Sequence, residues 1–233
     1  MHKETSDIIS DGIRWISYGG EKHLSTINLM KGQTVYGEKL VKFDKQEYRT
    51  WDPFRSKFAA AIKKGLFEIP IKLNSKILYL GASTGTTISH LSDIVGNSGV
   101  IFAVESSIRV ARELNENVSI KRQNIIPIIE DARKPSLYFS IFGSVDLVYC
   151  DIAQPDQTDI AIENCNMFLK KQGKILLVIK TRSIDVTKDP KFIISQEARK
   201  LEDNQFIIKQ IITLDPFDKD HGLIYAEFQS TNS

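Results

Sequence analysis

The segment from Lys76 to Glu105, KILYLGASTGTTISHLSDIVGNSGVIFAVE, constrains the fold more than any other. A compact apolar run, Ile77 to Leu80, ends in the turn GASTGTT, which opens directly into a helical pattern. A second apolar run then closes on one acid, Glu105. A strand whose C-terminal end feeds a glycine turn is where open α/β sheets bind nucleotides. An acid after the next strand is placed to accept hydrogen bonds from two ribose hydroxyls. The same seven letters also contain G-x-S-x-G, the nucleophile elbow of serine hydrolases. A cofactor cradle and a nucleophile turn are incompatible readings of one segment.

From Trp51 onward, apolar runs alternate with helical patterns. The runs are KILYL, VIFAVE, NIIPIIE, VDLVYCDI and GKILLVIK; the helical patterns cover residues 87–94, 108–117 and about 156–169. Strands this uniformly apolar suit a parallel sheet covered by helices on both faces. A helix over residues 190–204 and two further strands, FIIKQIITL and GLIYAEF, close the chain. The short joining segment DPFDKDH predicts that these two pair as an antiparallel hairpin at the sheet edge. The sum is a doubly wound α/β fold with a mostly parallel, seven-stranded sheet and a C-terminal antiparallel pair. That arrangement matches the methyltransferase variant rather than the all-parallel nicotinamide-binding sheet.

Residues 1–50 follow another grammar. GIRWISY, STINLM and TVYGEKLVKF are short β-branched or aromatic runs separated by GGEKH and KGQ, which reads as a small antiparallel β lobe. The expected domains are therefore 1–50 and 51–233.

Charge does not choose a partner: 31 basic and 29 acidic residues nearly cancel, and a total says nothing about a one-sided distribution. Cys150 and Cys165 lack CxxC spacing, so neither a zinc site nor a disulfide framework is expected, and no metal is assigned. Cys150, inside VDLVYCDI, reads as a core thiol. The N-terminus has no apolar leader, and no run approaches the roughly 18 apolar residues of a membrane span. A reduced, cytoplasmic setting is expected.

The hydrolase reading has a surface case, since Ser83, Asp151 and His221 fall in Ser…Asp…His order. Against it, the turn follows the first strand of the α/β region and no HGGG-like oxyanion segment lies upstream. It also leaves Glu105 and two lysines without a role. Lys180 ends the strand GKILLVIK, at the sheet edge where sites form, and Lys57 opens a helix ahead of the first sheet strand. Lysines ordinarily end on the solvated surface. The apolar residues before Lys180 imply a buried stem and an ammonium placed at a cleft. With a second cation nearby, such a lysine becomes a plausible general base. Asp151, ending VDLVYCD, is placed to hold it, and His221 begins the last strand. Asp131, in IIEDARKP, closes the third strand, where an acid accepts from an adenine amino group with the Ala132 amide beside it. The alternative for Asp131 is a helix cap. Arg55 and Lys57 beside Trp51 and Phe54 suit phosphate and base contacts on RNA; equally, the two aromatics pack the lobe on the main domain.

Together these residues resemble the fibrillarin family, in its short archaeal form, over essentially the whole chain. The matching segments include VYGEKLV, EYRTWDPFRSKFAAAI, KILYLGASTGTT, RQNIIPIIEDARKP, VDLVYCDIAQPDQT, IKTRSIDVT and DPFDKDH. The resemblance implies an N-terminal β lobe on an S-adenosylmethionine-dependent methyltransferase domain. It implies RNA ribose 2′-O-methylation of rRNA and tRNA directed by C/D-box guide RNAs. The implied partners are guide and target RNA, a Nop-family scaffold protein and a kink-turn-binding ribosomal-type protein. The family's catalytic set falls on Lys57, Asp151, Lys180 and His221. Its cofactor contacts fall on Gly81, Ala82, Thr86 and Thr87 in the turn, on Glu105, Asp131, Ala132 and Asp151, and on Gln154 near the methionine end. Two departures stand out: Asp52 replaces the usual Asn, setting a carboxylate near the implied RNA path, and GASTG replaces GAASG. No Gly/Arg-rich N-terminal tail is present, unlike the nucleolar eukaryotic form. Protein methylation on a glutamine side chain and a non-catalytic assembly role are the rival functions.

Overall fold

The computed structural model describes residues 6–141 and 143–229, with the Ile141 side chain left out. Two sheets carry the chain. The first is fully antiparallel, built from β1 (Ser6–Ser10), β2 (Ile13–Tyr18), β3 (Glu21–Ile27), β4 (Leu40–Phe43) and β5 (Gln46–Thr50), in the order β1-β2-β3-β5-β4. The sequence signals found its β2 and the end of β3 but not β1 or β5. They also took GGEKH as a separator, whereas Gly19 and Gly20 alone make the turn and Tyr18 pairs directly with Glu21.

The second sheet holds β6 (Lys76–Leu80), β7 (Val100–Val104), β8 (Ile125–Ile128), β9 (Val145–Cys150), β10 (Leu169–Lys180), β11 (Phe206–Thr213) and β12 (His221–Phe228). Their order is β11-β12-β10-β9-β6-β7-β8. The five strands β10, β9, β6, β7 and β8 are mutually parallel, while β12 runs antiparallel to both β10 and β11. The expected hairpin therefore forms, but only β11 lies at the edge: β12 is inserted between β10 and β11. The physical reason lies in β12 itself, where residues 222–226 are buried and need cover on both faces and both edges.

Side chains of the sheet alternate between two cores, as the two-residue period of a strand requires. Ile77, Tyr79, Leu147, Tyr149, Leu176 and Val178 face α1 (Lys57–Lys63) and α2 (Thr86–Val95), together with Ile13, Leu24 and Trp51 from the N-terminal segment. Leu78, Leu80, Val148, Cys150, Leu177 and Ile179 face α4 (Gln157–Phe168) and α6 (Pro190–Asp203). The helix α3 (Ile108–Asn117) is capped by Ser107 and packs Leu114 into the first core, and a short α5 (Thr181–Ile184) follows β10. Cys150 and Cys165 are both buried and free.

A buried ion cluster joins the first sheet to α2. Arg49, fully buried, bonds Glu38 at 2.6 Å and Asp93 at 2.7 Å, and Arg122 reaches the other oxygen of Asp93 at 2.7 Å. Thr26 donates to Asp93 at 2.9 Å and the Leu29 amide at 3.1 Å, so every lobe of that carboxylate is used. His90, on the same helix, sits between the Thr26 and Tyr36 hydroxyls at 2.8 Å each and stacks on Trp51. Removing one member of such a cluster strands a buried charge, at a cost of about 3–5 kcal/mol. This clamp fixes α2, and with it the turn that precedes α2.

Candidate active site

The strand ends build the site. Leu80 of β6 is level with Val104 of β7 on one side and with Cys150 of β9 on the other, and Val104 is level with Ile128 of β8. The residues that follow, Gly81, Glu105 and Asp151, therefore emerge together at the C-terminal edge. Winding runs from β6 outward through β7 and β8, then returns to place β9 on the opposite flank of β6. That reversal is the switch point at which doubly wound sheets open a crevice.

Gly81 is required there. Its φ is +80°, and a Cβ on it would lie 2.8 Å from the Asp151 carbonyl oxygen and 2.9 Å from Ile152 Cγ2. Beyond the turn, Gly85 in the left-handed region starts α2 with no side-chain cap, so the helix N-terminus is unoccupied by its own sequence.

A cavity of about 310 Å³ opens at this point, lined among others by Gly81, Glu105, Asp131, Ala132, Asp151, Gln154 and Lys180. Glu105 is oriented by two backbone amides: Ser83 N–H donates to Oε2 at 3.1 Å and Ser107 N–H to Oε1 at 3.0 Å. Asp131 accepts from the Arg133 N–H at 3.0 Å, which holds the loop after β8. Arg133 then forks onto Asp156 with two contacts of 3.0 Å and donates to Gln154 Oε1 at 2.6 Å. Gln154 thus lines the same cavity as Gly81, with its side-chain oxygen held by Arg133.

The charged groups at the other wall form a chain. Lys180 Nζ donates to the Asp151 carbonyl at 2.9 Å and lies 2.8 Å from Asp151 Oδ1. The carboxylate approach is a charge contact only; Oδ1 is buried and accepts no aligned hydrogen bond. On the far side, Lys57 Nζ donates to Asp151 Oδ2 at 3.2 Å and approaches Asp218 Oδ2 at 3.7 Å. Asp218 Oδ1 in turn lies 2.9 Å from His221 Nδ1, which also lies 2.6 Å from the Lys219 carbonyl. The sequence puts Lys57 beside Lys180 as a second cation. In the structure a carboxylate stands between them, because β9 lies between the β10 end and the α1 start.

Five of the expected residues line the cavity wall as cofactor candidates beside Asp151: Gly81, Glu105, Asp131, Ala132 and Gln154. Ala82, Thr86 and Thr87 do not reach it with their side chains. Ala82 is buried in the core, and the Thr87 hydroxyl donates to Ser56, the N-cap of α1, at 2.9 Å. Lys57 and His221 do not line the cavity; Lys57 contacts it through Asp151, and His221 is the cross-strand partner of Lys180 on β12. Asp218 went unrecognised in the sequence; its signal is the i, i+3 spacing to His221 within DPFDKDH.

The groups beneath the site are fixed in neutral form. Burial pushes the Cys150 thiol up to about 12 and holds the Tyr79 phenol well above its ordinary value, with the Asp151 charge adding to both. The hydrolase alternative fails on geometry: Asp151 is held by two lysines and His221 by Asp218, so neither serves Ser83. Ser83 itself is an exposed turn residue at φ +52°.

Comparison with known proteins decides the family. The Fibrillarin family model matches residues 6–230. The chain belongs to the fibrillarin family. A relative named Fibrillarin-like rRNA/tRNA 2′-O-methyltransferase, from Saccharolobus islandicus, is 54% identical over 210 residues, 90% of each chain. A Methanococcus jannaschii fibrillarin structure superposes with TM-score 0.94 at 45% identity, covering 99% of this chain and 100% of that one. Aeropyrum pernix fibrillarin, solved with natively bound S-adenosyl-L-methionine, gives TM-score 0.88 at 43% identity over 97% and 100%. A fibrillarin/Nop5p complex gives 0.82 at 40% identity over 94% and 98%. The fibrillarin fold, a seven-stranded methyltransferase sheet with an N-terminal antiparallel sheet, is the one the strand grammar predicted.

Proposed function

We propose that this chain transfers methyl groups from S-adenosylmethionine to the 2′-oxygen of RNA ribose, within a ribonucleoprotein acting on rRNA and tRNA. The observation that carries the reading is Asp151, set at the sheet's switch point with the cavity and Lys180 on one side and Lys57 on the other. The names of the relatives and the cofactor held by the Aeropyrum protein support it.

The residues present fit that cofactor. Glu105 presents a carboxylate whose amide contacts aim it at the pair of ribose hydroxyls. Asp131 offers an acceptor for an adenine amino group at the other end of the cavity, with Ala132 beside it. The Asp151 backbone carbonyl lies against Gly81, where the glycine lets the two strand ends close together. When bound, the cofactor supplies an electrophilic methyl group.

The chain's own work is alignment and proton handling. Holding nucleophile and electrophile in line converts an encounter into a near-unimolecular step. Lys180 Nζ, held at the cavity wall by Asp151, is the group that takes up the proton released by the 2′-hydroxyl as the oxygen forms its new bond. Asp151 fixes that nitrogen through its carbonyl and its carboxylate. Lys57, Asp218 and His221 are positioning residues that act through Asp151.

The partners we assign are a C/D-box guide RNA, a Nop-family scaffold and a kink-turn-binding protein, in the cytoplasm. The fibrillarin/Nop5p complex supports the scaffold, and the chain carries no RRM or KH motif to choose a sequence itself. Among the described residues no helix is long and apolar enough to cross a membrane. We also propose that residues 1–50 and 51–233 divide into lobe and methyltransferase domain. Trp51 and the Arg49–Asp93 contact bind the two, so residues 51–233 expressed alone are expected to lose thermal stability. The test of function is reconstitution with guide RNA and partners in methyl-labelled cofactor. Alkali-stable label at one guide-specified ribose is expected; label in protein, or none, defeats the proposal.

A further inference from the structure

Phe54 and Phe217 make an exposed aromatic pair at the border of the charged chain, ring centroids 5.1 Å apart and edge to face. Phe54 is 70% exposed although its backbone is held: Asp52 Oδ1 accepts from the Phe54 N–H at 2.8 Å, and Trp51 is buried just before it. The carboxylate that departs from the usual Asn therefore holds the backbone of the turn that carries the exposed ring. Phe217 directly precedes Asp218, and Phe54 lies three residues before Lys57, so the 3.7 Å contact between Lys57 and Asp218 sets the pair beside the site.

Unneutralised cations flank the rings. Lys63 Nζ lies 5.5 Å over Phe217 and Arg55 lies 5.6 Å from the Tyr36 ring centroid. Among the described residues, neither they nor Lys39 pairs with a carboxylate within ion-pair distance. All three line a groove of about 380 Å³ between the first sheet and α1. An open aromatic face next to unpaired cations suits a base with its phosphates, since bases stack on rings while Arg and Lys take the backbone. A purely apolar protein patch would cover the ring but leave the cations unpaired.

We infer that Phe54, braced by Phe217, is the stacking platform for a substrate-RNA base within one nucleotide of the target ribose, with Arg55 and Lys63 on the flanking phosphates. The inference rests on the proposed RNA methylation. Its test is methyl transfer by the reconstituted particle, comparing wild type, Phe54→Ala and Phe54→Trp on targets with an abasic site at the target nucleotide or either neighbour. Stacking is expected to give about a tenfold rise in RNA KM for Phe54→Ala, restored by Phe54→Trp, with cofactor affinity and melting temperature unchanged. One abasic position should raise KM equally in wild type and add nothing in Phe54→Ala. Independent, multiplicative effects at all three positions overturn the platform. So does a KM that responds only to Arg55→Gln and Lys63→Gln, which marks a purely phosphate-binding edge. Loss of transfer by wild type itself would instead strike the proposed function.

Discussion

Lys57 and Asp151 are 94 residues apart in sequence, yet Lys57 Nζ donates to Asp151 Oδ2 at 3.2 Å. The contact exists because α1 begins over the C-terminal end of β9, where Ser56 caps the helix and also accepts from Thr87 of α2. One end of the sheet thus gathers the start of α1, the start of α2 and the segment before β12. The charged chain Lys180–Asp151–Lys57–Asp218–His221 results from that convergence.

Asp218 is the link between Lys57 and His221, so Asp218→Asn should lower kcat about tenfold while leaving cofactor affinity and RNA KM near wild type. Steady-state kinetics on the reconstituted particle, with cofactor titration alongside, measure each quantity. An unchanged kcat would make Asp218 an ordinary surface acid.

Gly81→Ala meets backbone, not a side chain that can move. A Cβ there is 2.8 Å from the Asp151 carbonyl at a φ of +80°, whereas one at Gly19, φ +62°, meets nothing within 4 Å. Both variants carry backbone strain of about 1–3 kcal/mol. Only Gly81→Ala should also weaken cofactor binding, by at least about tenfold. Equilibrium dialysis and thermal melting of the two variants separate clash from strain.

His90 makes folding stability depend on pH. Burial, then the charges of Arg49 and Arg122, hold its folded pKa well below the ordinary 6.5. The unfolded chain therefore binds an extra proton below pH 6.5 and folding loses stability there, whereas the contribution is full above 6.5. Between pH 6.5 and 5.5 the loss is about 1 kcal/mol. Glu38, held below its ordinary 4.5 by Arg49 and backbone amides against the opposing effect of burial, loses its contribution only at more acid pH. Denaturant melts at pH 7.5, 6.5 and 5.5 should show this slope in wild type and a flatter one in His90→Gln.

The seven strands of the large sheet were legible because strands covered on both faces are written as apolar runs, of which β9 and β10 are the clearest. The glycine turn and Glu105 were legible because a strand end feeding a helix restricts the residues between. The antiparallel lobe was read less well: β5 is QEYRT, and its Arg49 looks like a surface residue. Its burial depends on Glu38 and Asp93, from distant segments, which no local pattern reveals. Asp218 was half hidden: its i, i+3 spacing to His221 is local, but its other partner, Lys57, comes from a distant segment. The insertion of β12 between β10 and β11 likewise depends on pairing across the sheet, not on the hairpin's own letters.

In the proposed reaction Lys180 handles the proton while the rest of the site holds the cofactor and aligns the ribose. Single-turnover methyl transfer is measured for Lys180→Ala and Lys180→Arg, each saturated with cofactor. Transfer should fall about 10²–10⁴-fold in both variants, with cofactor affinity within about twofold of wild type. Near-wild-type turnover in Lys180→Ala would contradict it.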